Sequence, residues 1–279
     1  MRARPSFARS VAAAAASAVV VVALVFTAGG ASAAPSYPAK MAALGDSITQ
    51  AATTCSSLSS CPANSWSTGT NTTVQSHATR LRLAGDTGLV AYNDAVSGAA
   101  SAALPGQAAT AVSQGAQYVT IEMGANDACT SSVSTMTPTA TFQANVTAAL
   151  TTLRNAGTAH IFVASIPSLM RLYNLEKGSF SARFVWALLG VCKSMLANPT
   201  STSAADVARR AAVQQRVDDF NAVLAAACQA VTTCTWDKGA VANYAFSKSE
   251  ISTTDYFHPS LTGQASLARI TWAVSPWVS

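Results

Sequence analysis

A serine, an aspartate and a histidine, far apart in the chain, have the residue types of a nucleophilic catalytic site. Ser47 lies in the segment Gly45-Asp46-Ser47-Ile48-Thr49, directly after a short apolar run, and Asp255 and His258 stand three residues apart near the C-terminus. A serine hydroxyl needs a base that takes its proton, and that base needs an acceptor that fixes its tautomer. Asp255 and His258 can supply both parts within one turn of chain. Taken alone, an Asp-Ser pair after a strand is more often the N-cap of a helix than a nucleophile.

Two other segments offer donors to an oxygen that gains negative charge. Gly98 lies in the segment 92–99, after the second apolar run, and Asn126 lies in Gly124-Ala125-Asn126-Asp127, after the third. A glycine presents an unobstructed backbone N–H, and an asparagine presents a side-chain amide N–H. Taken separately, each residue is better explained by an ordinary turn, so neither predicts a site by itself.

Short apolar runs that alternate with helical patterns must position these residues. The runs are bounded by Gly, Asp, Asn or Pro, as strands usually are. Near-continuous apolar strands separated by helices are typical of a parallel sheet covered on both faces, so we predict one doubly wound α/β domain. Such sheets bind ligands just beyond the carboxyl ends of their strands. The predicted strands are residues 41–44, 90–93, 118–123 and 160–165, and the predicted helices are 74–83, 101–114, 141–155, 205–231 and one from about 260.

Apolar stripes predict which faces of two helical segments are buried. A stripe at steps of three and four predicts that helix 205–231 packs on the sheet. A second stripe, in the segment 129–198, is interpreted as the buried side of a helix, with the wall of an acyl-chain pocket as the alternative. The first stripe is Val213, Val217, Phe220, Leu224 and Ala227, and the second is Phe184, Leu188 and Val191.

Four blocks, taken in order, resemble the SGNH, or GDSL-type, hydrolase family. Its pattern is a Ser in a Gly-Asp-Ser block, a Gly in a second block, an Asn in a Gly-x-Asn-Asp block and an Asp-x-x-His block near the end. The matching residues here are Gly45-Asp46-Ser47, Gly98, Gly124-Ala125-Asn126-Asp127 and Asp255-Tyr256-Phe257-His258. Each block is weak alone, whereas four in this order are specific. Ile48 stands at the position of the Leu in the name GDSL. This exchange keeps an apolar side chain of similar size.

The resemblance implies a role for each of these residues. Ser47 attacks an ester carbonyl, His258 is the general base and later the general acid, and Asp255 orients His258. The oxyanion hole consists of the backbone N–H groups of Ser47 and Gly98 and the side-chain amide of Asn126. The resemblance also implies a flavodoxin-like three-layer α/β/α sandwich with a five-stranded parallel sheet, and a reaction without a cofactor or a metal.

The N-terminal residues change the meaning of the composition. The chain has 279 residues, 50% of them hydrophobic, and a formal charge of +5. Residues 1–33 are typical of an export signal, with three early arginines, an apolar run over 11–26 and the small-residue pattern Ala31-Ser32-Ala33. The alternative is a retained membrane anchor. Without this leader, a single domain of 246 residues remains, with 14 basic and 12 acidic residues, which does not indicate a nucleic-acid surface.

The six cysteines are expected to form disulfides, because an exported protein meets an oxidising compartment. Their spacing lacks the pairs typical of zinc sites, and 15 connectivities are open to them. We expect two local pairs and one long-range pair, and the resemblance extends to secreted bacterial lipases and esterases with three disulfides. The expected pairs are Cys55 with Cys61, Cys129 with Cys192 and Cys228 with Cys234.

The expected function is therefore that of a secreted, monomeric serine esterase or lipase, acting on a small-molecule or lipid ester, with no nucleic-acid partner and no stable membrane insertion. A polysaccharide deacetylase of the same fold is the first alternative. A non-catalytic lipid-binding or glycan-binding module is the second. A metal-dependent phosphoesterase that uses Asp46, Asn126 and His258 as metal ligands is a third alternative. The other two histidines, His77 and His160, fall in predicted helices or strands and are assigned structural roles.

Overall fold

The computed structural model describes residues 1–6, 8 and 37–278. The chain divides into two units, 1–36 and 37–279. The described residues of the first unit are exposed and have no regular secondary structure, and the rest of the predicted export signal 1–33 lies outside the described residues. The fold below is that of the second unit.

Five parallel strands form a single sheet in the order β2-β1-β3-β4-β5. The four predicted strands are confirmed, and the central strands are buried because their side chains are apolar on both faces. No segment was predicted for β5, which is a half-buried edge strand of three residues and therefore too short for a pattern. The strands are β1 Lys40–Gly45, β2 Val90–Asn93, β3 Tyr118–Glu122, β4 His160–Val163 and β5 Cys234–Trp236.

The helices cover both faces of this sheet, which confirms the three-layer architecture. Helices α2, α4 and α8 pack in a row, with α2 against β1 and α8 against β4 and β5. On the opposite face, α1 and α9 meet through a hydrogen bond between His77 and Thr271. Within the described ranges, no helix has the length and apolar character needed to cross a bilayer. The α-helices are α1 His77–Leu83, α2 Leu104–Gln114, α3 Ala125–Ala128, α4 Thr139–Asn155, α5 Leu169–Glu176, α6 Phe180–Leu189, α7 Lys193–Leu196, α8 Ala204–Gln229 and α9 Leu261–Trp272.

Helix α8 packs as its apolar stripe predicts. The side chains of Val213, Val217, Phe220 and Leu224 are buried, and Ala227 is half-buried. The N-terminus of the helix is capped by Ser203, whose side chain accepts a hydrogen bond from the backbone of Asp206.

Helix α6 corrects the interpretation of Phe184, Leu188 and Val191 as a buried stripe. Phe184 is 58% exposed and Leu188 is 69% exposed, while Val191 follows the helix and is half-buried. Ala182 and Trp186 instead form the buried side. Both sides of α6 are apolar, so the pattern alone does not reveal which one packs on the protein; the indole of Trp186 occupies the interior.

Candidate active site

The turn after β1 carries Ser47 and requires a glycine just before it. Gly45 has a φ of +147°, and a Cβ atom on it would lie 2.2 Å from the backbone oxygen of Glu122 on the neighbouring strand β3. The chain then turns sharply, and the carboxylate of Asp46 accepts a hydrogen bond of 2.8 Å from the backbone N–H of Ile48. Ser47 is thereby held at the carboxyl end of β1, with only 7% of its surface exposed.

His258 lies between Ser47 and Asp255. Its Nε2 atom is 2.7 Å from the Ser47 hydroxyl oxygen, and its Nδ1 atom is 2.5 Å from Oδ2 of Asp255. The hairpin-like segment that carries both residues is closed by a bridge between Ile251 and Pro259. The structure therefore brings together, from opposite ends of the sequence, the three residues predicted for nucleophile, base and orienting acceptor.

Asp255 lies in a site that stabilises its charged form. Burial acts to raise the pKa of this carboxyl, but hydrogen bonds from the imidazole of His258 and from the backbone N–H groups of His258 and Phe257 act to lower it. The net result is a pKa below the usual value. Asp255 therefore stays ionised and accepts a hydrogen bond from the Nδ1–H of His258, which leaves Nε2 of that ring to accept a hydrogen bond from the Ser47 hydroxyl.

The predicted oxyanion donors lie around the same serine. Gly98 and Asn126 line one groove with Ser47 and His258. Asn126 donates one amide hydrogen to the backbone oxygen of Ala99 at 2.9 Å, which fixes the side chain and leaves its second hydrogen free. In the described part of the chain, the backbone N–H groups of Ser47 and Gly98 donate to no other residue. Three N–H groups are thus available in this groove.

Two buried carboxyl groups lie behind the nucleophile. Burial raises the pKa of Asp46 to about 6, despite the Ile48 N–H and the nearby His258, which lower it. Burial also raises the pKa of Glu122 well above its usual value, and the charges of Asp46 and Asp237 raise it further. Neither carboxyl oxygen of Glu122 has a hydrogen-bond partner among the described residues, so no hydrogen bond offsets the cost of burying its charged form. Glu122 was not predicted as part of the site, although it is an acidic residue at the end of an apolar strand, which is a signal in the sequence.

Three disulfides link the six cysteines in the expected pairs: Cys55–Cys61, Cys129–Cys192 and Cys228–Cys234. The long-range bond ties the loop after Asn126 to the residues that follow α6. Cys129, Cys192 and the neighbouring Val191 all line the groove of Ser47. The disulfide between Cys129 and Cys192 therefore joins the inserted segment to a loop, as expected, and it also forms part of the wall of the candidate active site.

A second, almost entirely apolar cavity lies on the other side of His258. The volume open to a water-sized sphere is about 40 Å³, and the cavity opens to solvent at its mouth. Ile48 and Ala125, which adjoin Ser47 and Asn126 in sequence, contribute to its wall. Its one charged lining residue, Arg171, directs its guanidinium at the backbone oxygens of Phe246 and Ala245. The other apolar lining residues are Pro167, Leu169, Leu172, Leu175, Phe246, Ile251, Phe257 and Pro259.

The other two histidines lie away from the site. His77 is fully buried between Tyr118 and Thr271, with ring nitrogens 2.8 Å from each hydroxyl, and burial lowers its pKa to about 3. His160 begins β4 and its ring packs against Trp277. Among the described residues, no three His, Cys, Asp or Glu side chains converge as metal ligands would.

Comparisons with known proteins give the family and a set of distant structural neighbours. The model of the GDSL-like lipase/acylhydrolase family matches residues 43–265. No match was found among curated proteins. Among solved structures, TesA is 19% identical with a TM-score of 0.47, covering 84% of this chain and 97% of its own.

Two further solved structures are similarly distant. The extracellular lipase of Streptomyces rimosus is 18% identical with a TM-score of 0.43, covering 85% of this chain and 99% of its own. The acetyl xylan esterase AlAXEase is 14% identical with a TM-score of 0.43, covering 84% and 98%. The family model spans the strand-end blocks of Ser47, Gly98, Asn126 and Asp255-His258, and with this match the chain belongs to the GDSL-like lipase/acylhydrolase family.

Proposed function

We propose that this chain is an exported serine esterase or lipase that hydrolyses carboxylic esters of lipid type through an acyl-enzyme on Ser47. The observation that carries the proposal is the continuous hydrogen-bonded series Ser47, His258 and Asp255, with 2.7 Å between the serine oxygen and the imidazole. That series converts a weak hydroxyl nucleophile into an effective one.

The first half of the reaction forms the acyl-enzyme. The Ser47 oxygen attacks the ester carbonyl while its proton passes to Nε2 of His258, and Asp255 stabilises the imidazolium through Nδ1. The carbonyl oxygen becomes an oxyanion. When this tetrahedral intermediate collapses, the ester C–O bond breaks and His258 returns the proton to the leaving alcohol.

The oxyanion is held by the backbone N–H groups of Ser47 and Gly98 and by the free amide hydrogen of Asn126. These donors are fixed before substrate arrives, because Asn126 is anchored on Ala99 and the turn of Ser47 is anchored through Asp46. One such donor typically contributes about 3 kcal/mol to the lowering of the barrier.

The second half of the reaction returns the free enzyme. A water molecule attacks the acyl carbonyl, His258 takes its proton, and the same three donors hold the second oxyanion. The Ser47–acyl bond then breaks, the serine regains its proton from His258, and the carboxylic acid leaves.

The apolar cavity beside His258 favours a substrate with an acyl chain over an acetylated sugar. Its walls come from α5 and from residues such as Phe246, Ile251 and Phe257, and offer hydrocarbon surface rather than hydrogen bonds. Each methylene buried there contributes about 0.8 kcal/mol.

Mutation of the nucleophile and base tests the reaction. With p-nitrophenyl butyrate, Ser47→Ala and His258→Ala are expected to lower kcat by a factor on the order of 10⁶. Ser113→Ala, an exposed serine on α2, is the matched control and should retain wild-type rates. Full activity in Ser47→Ala would rule out the proposed mechanism, and activity that survives EDTA would exclude the metal-dependent alternative.

A series of p-nitrophenyl esters of increasing chain length, together with acetylated xylan, tests the substrate class. We expect kcat/KM to peak at medium or long acyl chains, and Leu172→Trp to move that peak towards acetate by filling the cavity. Leu83→Trp, at an exposed position of α1, controls for the added indole. A peak at acetate with rapid release from xylan would instead favour the deacetylase.

Export rests on the leader-like residues 1–33 and on the three disulfides of the described chain. An oxidising compartment is where such bonds persist. The test is N-terminal sequencing of protein collected from culture medium, and we expect it to begin at Ala34. Retention of the full-length chain in the membrane fraction would favour the anchor instead.

A further inference from the structure

Helix α6 presents a row of large apolar side chains to solvent. Phe180, Phe184 and Leu188 recur every four residues and are 74%, 58% and 69% exposed; we refer to these three residues as the α6 apolar face. The opposite side of the helix, Ala182 and Trp186, is buried. Isolated exposed apolar residues are ordinary, whereas a contiguous row of this size marks a binding surface.

The α6 apolar face stands beside the mouth of the candidate active site. On the buried side of the helix, the indole N–H of Trp186 donates a hydrogen bond of 3.0 Å to the backbone oxygen of Tyr256, two residues before His258. Immediately after the helix, Val191 lines the groove of Ser47, and the exposed Leu58 lies in the same groove. Apolar surface therefore continues from α6 to the groove.

Positive charges flank the α6 apolar face at both ends. Arg183 donates to the backbone oxygen of Lys177 near the start of the helix, and the Lys193 side chain lies against Gly190 at its end. The segment 177–197 contains no acidic residue. The nearest acid in sequence, Glu176, is buried and faces Lys248. An apolar row between cations is complementary to hydrocarbon beneath negatively charged headgroups.

We propose that the α6 apolar face binds the surface of an anionic phospholipid bilayer and so places the groove of Ser47 at that surface. The biological role of this binding rests on the proposed lipid-ester activity, but the binding itself does not require catalysis. Phe180, Phe184 and Leu188 enter the headgroup boundary, and Lys177, Arg183 and Lys193 meet the lipid phosphates.

Vesicle sedimentation tests the proposal with catalysis switched off. The Ser47→Ala protein is mixed with vesicles of phosphatidylcholine alone or with phosphatidylglycerol added. We expect preferential binding to the anionic vesicles, weakened by about 0.5 M salt. Phe180→Ser/Phe184→Ser in the same background should lose on the order of 100-fold in partitioning. Lys193→Gln should lose about fivefold, and only on anionic vesicles.

Leu83→Ser is the matched control, because Leu83 is 73% exposed and lies near Arg80 and Arg82 on α1. It should bind vesicles as the parent does, and equal thermal unfolding midpoints would show that all variants are folded. Unchanged partitioning of the double variant would overturn the proposal. So would a dimer in sedimentation equilibrium that Phe184→Ser dissociates, since the face would then cover a second copy. Ester hydrolysis in Ser47→Ala would contradict the proposed mechanism while leaving the vesicle result intact.

Discussion

Gln107 holds Gly45 through both groups of its side-chain amide. Its Oε1 accepts from the Gly45 N–H at 2.8 Å, and its Nε2 donates to the Gly45 oxygen at 2.9 Å. The Gly45 oxygen also accepts from the Val96 N–H at 3.1 Å, so the side chain of this α2 residue adds to the backbone pairing at the last residue of β1. Ser47 follows two residues later, so the two hydrogen bonds of Gln107 fix the start of the turn that carries the nucleophile.

Gln107→Leu is expected to lower the free energy of unfolding by roughly 1 to 3 kcal/mol, because the buried Gly45 N–H loses its partner, whereas the Gly45 oxygen keeps the Val96 N–H. Urea unfolding measures the change. The rate on p-nitrophenyl butyrate should fall as well, since the turn of Ser47 loosens. Gln143→Leu, at an exposed position of α4, is the control, because it makes the same substitution without removing a hydrogen bond to Gly45. An equal fall in the free energy of unfolding in both variants would refute the argument.

Asp255→Asn is expected to lower kcat by a factor on the order of 10³ to 10⁴. The amide of an asparagine can donate to Nδ1 of His258, which places the ring proton on Nε2, where it no longer accepts from Ser47. Steady-state kinetics with p-nitrophenyl butyrate measures the loss. Asp218→Asn, on the exposed side of α8, should be without effect. A loss of less than tenfold in Asp255→Asn would mean that another acceptor orients His258.

The raised pKa of Asp46 predicts how stability depends on pH. Its carboxyl has a pKa of about 6 in the folded protein against an ordinary 3.8, because burial disfavours the charge. The folded state therefore binds this proton more tightly than the unfolded chain does. The stability from this group is fully present below about pH 4 and is lost as pH rises towards 6, by about 3 kcal/mol.

Asp46→Asn removes that ionisation, so urea unfolding of the two proteins at about pH 4 and pH 7 isolates it. Between these values, the wild type should lose about 3 kcal/mol relative to the variant. Asp218→Asn should show no such trend. A difference between wild type and Asp46→Asn that stays constant with pH would contradict a raised pKa.

The sequence was informative where local chemistry determines structure. Apolar runs bounded by turn residues predicted four strands, and short polar blocks just after strands predicted the positions of Ser47, Gly98 and Asn126. The partnership of Ser47 with His258, 211 residues apart, followed from residue types and from the family pattern rather than from any periodicity. Strand β5 was missed because its three residues are too few for a pattern to form.

The remaining errors and omissions come from tertiary contacts. Gln107 and Glu122 gain their importance from what faces them, Gly45 in one case and Asp46 in the other, and their own neighbours in sequence do not reveal this. Helix α6 is apolar on two sides, so the choice between burying Trp186 and burying Phe184 depends on the space that the fold leaves. The Tyr256 carbonyl supplies a hydrogen-bond acceptor on the Trp186 side only.

Removal of the long-range disulfide should affect both stability and the site. Cys129 and Cys192 are 63 residues apart, and closing a loop of that size restricts the unfolded chain enough that Cys129→Ser/Cys192→Ser should cost about 4 kcal/mol. Cys228 and Cys234 are 6 apart, so Cys228→Ser/Cys234→Ser should cost only about 2 kcal/mol. Urea unfolding of both double variants measures these losses.

The kinetics of the same two variants separate stability from positioning. Cys129 and Cys192 line the groove of Ser47, whereas Cys228 and Cys234 do not. The kinetics are measured without urea, at a temperature where both variants are fully folded. We expect KM for a lipid ester to rise in Cys129→Ser/Cys192→Ser and to stay at the wild-type value in Cys228→Ser/Cys234→Ser. Equal KM values in all three proteins would show that the long-range bond contributes to stability alone. A rise confined to the first variant would mean that this bond also holds the wall formed by Val191 against the groove.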